Sequence, residues 1–116
     1  MRTKIHSTPP LSGGYDLRPL QNIDIEGVTR GSVGVVRIGA GTRSPSEGLR
    51  CNAEHEIAYL VQGQVRVDTE EGSRIVNAGD VIVASPAERH ATTALVDATI
   101  VYVLLHRGSD GNYPVG

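Results

Sequence analysis

Glu56 and His90 are the side chains of this sequence best suited to moving a proton, and Arg50 and Asn52 are the ones best suited to holding what is acted on. An imidazole with an ordinary pKa of about 6.5 serves as acid or base near neutral pH. A carboxylate beside it can hold its tautomer or act as the second proton carrier. A guanidinium presents a rigid fork of donors to a carboxylate, a phosphate or an enediol-like group. Tyr59 or Tyr102 can supply a further acid or a ligand contact, and the alternation of strand faces leaves open which of the two points inward.

Two stretches carry these residues. Glu56-Ile57-Ala58-Tyr59-Leu60-Val61-Gln62-Gly63 is an apolar strand that opens on an acid and reaches a turn glycine, with six residues between Glu56 and Gly63. Gly79-Asp80-Val81-Ile82-Val83-Ala84-Ser85-Pro86-Ala87-Glu88-Arg89-His90 is a Gly-Asp strand that runs through a proline to the histidine. Around them, short apolar runs alternate with turn residues: 32–38, 48–52, 57–61, 65–69, 74–76, 81–84, 90–94 and 99–105. With 116 residues, 39% of them hydrophobic, no Phe or Trp and four Tyr, the core must come from Val, Ile, Leu and Ala. About eight strands in one small domain point to an all-β sandwich or barrel. Residues 1–30 read as an N-terminal arm or edge strand broken by Thr8-Pro9-Pro10 and Ser12-Gly13-Gly14. Residues 31–106 form the barrel, and 107–116 a flexible polar tail.

Period-two alternation sorts the candidates. Glu56, Ala58 and Leu60 share one face, and Ile57, Tyr59 and Val61 the other, so His55 points away from Glu56. An inward Arg50 brings Asn52 with it. On the strand that begins at His90, Thr92 and Ala94 are the inward partners, and their small size leaves room for a ligand.

Over about residues 31 to 105 the sequence resembles the cupin superfamily, whose two motifs match the two stretches above. The resemblance implies a single-domain cupin jelly-roll β-barrel, usually a homodimer. It further implies a pocket that often holds iron, manganese, nickel or zinc on two or three histidines and a glutamate. Carried over position by position, Glu56 and His90 match that ligand set, while Arg50 and Asn52 stand where the motif has its histidine pair. Arg50 has no lone pair to give and Asn52 offers a weak carbonyl oxygen, so the ordinary site cannot form. A rearranged divalent site on Glu56 and His90 would have to recruit Cys51, His55 or Glu47. Without a metal, His90 and Glu56 carry acid–base chemistry on a molecule held by Arg50, Asn52 and Tyr102.

A ligand-free explanation stands beside each of these. Arg50 and Glu56 can pair across a hairpin, His55 between two acids reads as a surface residue, and Cys51 as a small hydrophobe. The formal charge of -2 gives no attraction for nucleic acid. No apolar window reaches the roughly 20 residues of a membrane helix. The single cysteine and the absence of an apolar leader after Met1 make the cytoplasm the expected location. Two classes of function follow: an enzyme of isomerase, dehydratase, lyase or metal-dependent oxygenase type acting on a polar, anionic small molecule, and a non-catalytic binding cupin.

Overall fold

The computed structural model describes residues 4–25 and 29–107. They form seven strands: β1 (Tyr15–Ile25), β2 (Thr29–Ile38), β3 (Arg43–Ser44), β4 (His55–Thr69), β5 (Gly72–Asn77), β6 (Val81–Ala84) and β7 (His90–Arg107). Every pairing is antiparallel, in the order β1-β2-β7-β4-β5, with β3 on β7 and β6 on β4. No helix occurs among the described residues, so none is long and apolar enough to cross a membrane. The flexible tail expected over 107–116 lies outside the described residues from position 108 onward.

The strand count differs from the sequence reading for physical reasons. The runs 57–61 and 65–69 belong to one strand, β4, whose buried set changes from Ala58 and Leu60 to Val65 and Val67. That change of phase is made by register shifts against β7 around Gln62 and Gln64, with Gly63 at a φ of 96° between them. An irregularity that admits one extra residue flips the faces without ending the strand. The runs 90–94 and 99–105 are likewise one strand, β7, although Val96-Asp97-Ala98 reads as a turn. The expected strand 48–52 is replaced by a loop from which only Arg50 makes an isolated bridge, to His90.

One face of the sheet is the core. Direct cross-strand partners share a face, which aligns Leu17, Val36, Ile100 and Leu60 in one row and Gly34, Tyr102, Ala58 and Ile82 in the next. Val36, Ile38, Ala58, Leu60, Val65, Ala94, Ala98, Ile100 and Tyr102 pack as one buried cluster. The outer face is apolar too. Val33, Val103, Ile57 and Val83 form one complete row across β2, β7, β4 and β6, and Val35, Val101, Tyr59 and Val81 form the next.

Candidate functional site

Glu56 stands at the start of β4, on the inner-face row Ser32, Leu104, Glu56, Ala84. His90 stands at the start of β7, where its strand partner is Thr69, at the opposite end of β4. Along the ladder the two are far apart, and only the curl of the sheet into a barrel brings His90 Nε2 to 3.9 Å from Glu56 Oε1. Both side chains are largely enclosed, with 18% of His90 and 22% of Glu56 exposed.

The loop before β4 completes the cluster. Arg50 exchanges two backbone hydrogen bonds with His90, each 3.0 Å, which fixes it as a direct neighbour of the histidine. Asn52 Nδ2 donates to Glu56 Oε1 at 2.5 Å, so the polar contacts of Glu56 run to Asn52 and His90. His90 Nδ1 is buried without a hydrogen-bond partner among the described residues. Nε2 is the nitrogen that faces Glu56.

Arg50, Asn52, Glu56, His90 and Tyr102 all line one cavity of about 310 Å³, together with Thr92. Of the two tyrosines, Tyr102 is the inward one at 6% exposure, while Tyr59 lies on the outer face. Its ring fits because the cross-strand partner is Gly34: a Cβ there would come within 2.3 Å of the phenol oxygen. Burial, and then the neighbouring Tyr15, raise the Tyr102 pKa above 10.0, so the phenol stays protonated and available as a donor. Ser32, Val36 and Ile38 of β2 and Tyr15, Leu17 and Pro19 of β1 form the remaining wall with Ser44, Pro45, Ile100 and Leu104. None of the β1 residues was singled out in the sequence, although Tyr15-Asp16-Leu17-Arg18 does alternate apolar and charged residues.

The recruited metal set does not assemble. His55 is exposed on the face of β4 opposite Glu56, Glu47 is exposed in the loop, and Cys51 is half-buried; none of the three lines the cavity. Among the described residues no three His, Cys, Asp or Glu side chains group as metal ligands. The donors around the cavity are one carboxylate and one imidazole, with a guanidinium and an amide beside them. Such a set does not fit the resident divalent ion that the fold family often carries.

Residues 31–101, more than half of the chain, match the family model described as the EutQ-like cupin domain. No curated protein matches this chain. Among solved structures, KdgF from Halomonas sp. is similar at 22% identity and a TM-score of 0.64, over 90% of this chain and 89% of that one. A putative ethanolamine utilization protein Q from Salmonella typhimurium aligns at 17% identity and a TM-score of 0.62, over 78% of this chain and 68% of its own. Salicylate 1,2-dioxygenase from Pseudoaminobacter salicylatoxidans aligns at 16% identity and a TM-score of 0.64, over 78% of this chain but 26% of that one. At such identities the likeness speaks for the fold, and it agrees with the jelly-roll barrel read from the two motifs.

Proposed function

Because the chain belongs to the EutQ-like cupin family, we propose that it uses its barrel as these folds do, to enclose a small molecule, and that the molecule is anionic. The observation behind this reading is the convergence of Arg50, Asn52, Glu56 and His90 on one cavity whose other walls are largely apolar. Arg50 takes the carboxylate of the ligand in its planar fork. His90 Nε2 then removes a proton from the adjacent carbon, and the electron pair left behind delocalises toward the group that Arg50 neutralises. In an isomerisation, the imidazolium returns its proton to another carbon of the delocalised system, with Glu56 holding the ring in place. In a dehydration, the imidazolium passes its proton to a departing β-hydroxyl, which leaves as water as the double bond forms. Tyr102 donates a hydrogen bond from within the cavity.

A non-catalytic binding cupin is the second reading, and the hydrogen bond from Asn52 to Glu56 favours it, since it occupies one oxygen of the carboxylate. Exchange of carbon-bound hydrogen for deuterium separates the two. With a panel of 2-oxo and 3-hydroxy carboxylates in ²H₂O, proton-transfer chemistry predicts NMR-detected exchange at the carbon next to the carboxylate or carbonyl. His90→Gln should slow that exchange by about 10² to 10⁴-fold while ligand still binds. Binding without exchange in the parent protein would decide for the binding cupin.

The same reading includes a cytoplasmic homodimer, formed through the outer apolar face of β4 and β6. Exposure along β4 and β6 rises from 39% at Ile57 and 45% at Tyr59 to 57% at Val81 and 68% at Val83. Ile57 and Tyr59 of β4 with Val81 and Val83 of β6 make an uncharged exposed patch, while Val35 in the same rows is already covered at 1% exposure. That suits the apolar centre of an interface of about 800 Å² per partner, completed by a polar rim. An interface about a two-fold axis sets the same patch of both subunits against each other, and an uncharged patch meets no like charge there. Sedimentation should therefore give twice the 12.3 kDa chain mass, and Val83→Asp should give the monomer. A monomeric parent protein would reject this assembly.

A further inference from the structure

We infer that the ligand is a monocarboxylate with an apolar body, seated tail-first, rather than a polyhydroxylated acid. The inference rests on the anion-binding reading above and adds what fills the rest of the cavity. The lining is divided by position. Arg50 is exposed at the mouth, Glu56 and His90 are partly enclosed behind it, and Val36, Ile38 and Ile100 are buried at the floor. Val36 and Ile100 lie two inner-face rows beyond Glu56, whose own row holds Ser32 and Leu104.

Charge and burial thus run in opposite directions along the cavity. The four groups able to meet an anion, Arg50, Asn52, Glu56 and His90, all belong to its outer half, and the floor carries no charged side chain. A body that filled the cavity would meet mostly aliphatic carbon, with the hydroxyls of Tyr102, Thr92, Ser44 and Ser32 as its neutral polar contacts. A polyhydroxylated chain would lose its water there for too few partners, which is unfavourable group by group. Methylene or aryl carbon is favoured at the same positions, by about fourfold in affinity for each methylene enclosed. The volume, about 310 Å³, is at the small end of ligand cavities and limits the body to a short chain or one ring.

An NMR titration of the full chain with butanoate, hexanoate, gluconate and hexanamide tests both layers. Hexanoate is expected to bind about 15-fold more tightly than butanoate, from two enclosed methylenes, and at least about tenfold more tightly than gluconate, whose hydroxyls outnumber the few partners in the cavity. Arg50→Gln, at an exposed position, should weaken hexanoate about tenfold or more and leave hexanamide unchanged. Gluconate binding as tightly as hexanoate would overturn the apolar body while leaving the anion reading in place. Hexanamide matching hexanoate, or hexanoate indifferent to Arg50→Gln, would overturn the anion reading, and the carboxylate part of this inference with it. No binding by any member of the series would overturn the inference outright.

Discussion

Replacing Gly63 by alanine is expected to cost about 3–5 kcal/mol and to lower the melting temperature by roughly 15 °C or more. Two separate terms add. The φ of 96° lies in the left-handed region, where an L side chain costs about 1–2 kcal/mol. The added Cβ would also sit 2.2 Å from the carbonyl oxygen of Asp97 and 2.8 Å from the Cα of Ala98, both backbone atoms. That backbone is held from the other side. The Asp97 carboxylate accepts from the Ala40 N–H at 2.9 Å and pairs with Arg37 at 3.0 Å, and these two contacts, in that order, keep its pKa below 3.8. Gly79 provides the control. Its φ is 97° and nothing lies within 4 Å of its added Cβ, so Gly79→Ala should show the conformational cost alone. Thermal unfolding of both variants measures the difference. Equal losses would mean that β7 yields at Asp97 and that the close approach is not what requires glycine.

Gly63 is also where the sequence was easiest to misread. Before it the buried positions are even-numbered, after it they are odd, so two strands with a turn between them is what alternation reports. The sorting into faces was legible: Glu56, Ala58 and Leu60 share one side of β4 and His55, Ile57 and Tyr59 the other, because that needs only the period of two. His90 and Thr92 were legible on the same ground and do line the cavity. The wall supplied by β1 was not. Thr8-Pro9-Pro10 and Ser12-Gly13-Gly14 announce irregular chain just before Tyr15, and Pro19 interrupts the strand pattern, so the short alternation that remains is too brief to stand out. Nor could the position of Arg50 follow from any period, since it lies in a loop and owes its place to one bridge with His90. The outer face was hidden for a different reason. Strands apolar on both sides, such as Ile57 to Val61 and Val81 to Ala84, read as continuous runs that local pattern cannot orient.

Restoring histidine at both positions of the loop should turn the cluster into a metal site. Arg50 and Asn52 line the cavity that Glu56 and His90 also line, and Asn52 already touches the carboxylate. If the guanidinium and the amide are what keep the donor set below that of a divalent ion, then Arg50→His together with Asn52→His supplies three imidazoles and one carboxylate around one point. The double variant should bind zinc or nickel near stoichiometrically and at least about a hundredfold more tightly than the parent chain. At a free metal concentration of 100 Kd, mass action would then add about 2.7 kcal/mol to its stability, visible as a metal-dependent rise in melting temperature that the parent lacks. Each single substitution should fall between the two, because a third ligand helps and a remaining cation or weak donor still opposes. Adding Glu56→Gln to the double variant should remove most of the gain, which separates binding in the cavity from binding at a surface histidine such as His55. Plasma mass spectrometry of the dialysed proteins reads metal content, and calorimetry reads the affinity. If the double variant gains nothing, the side chains at 50 and 52 do not converge on the point that Glu56 and His90 share. Arg50 would then meet its anion at the rim of the barrel, away from the groups proposed to move the proton, and the acid–base mechanism would lose its means of holding the substrate.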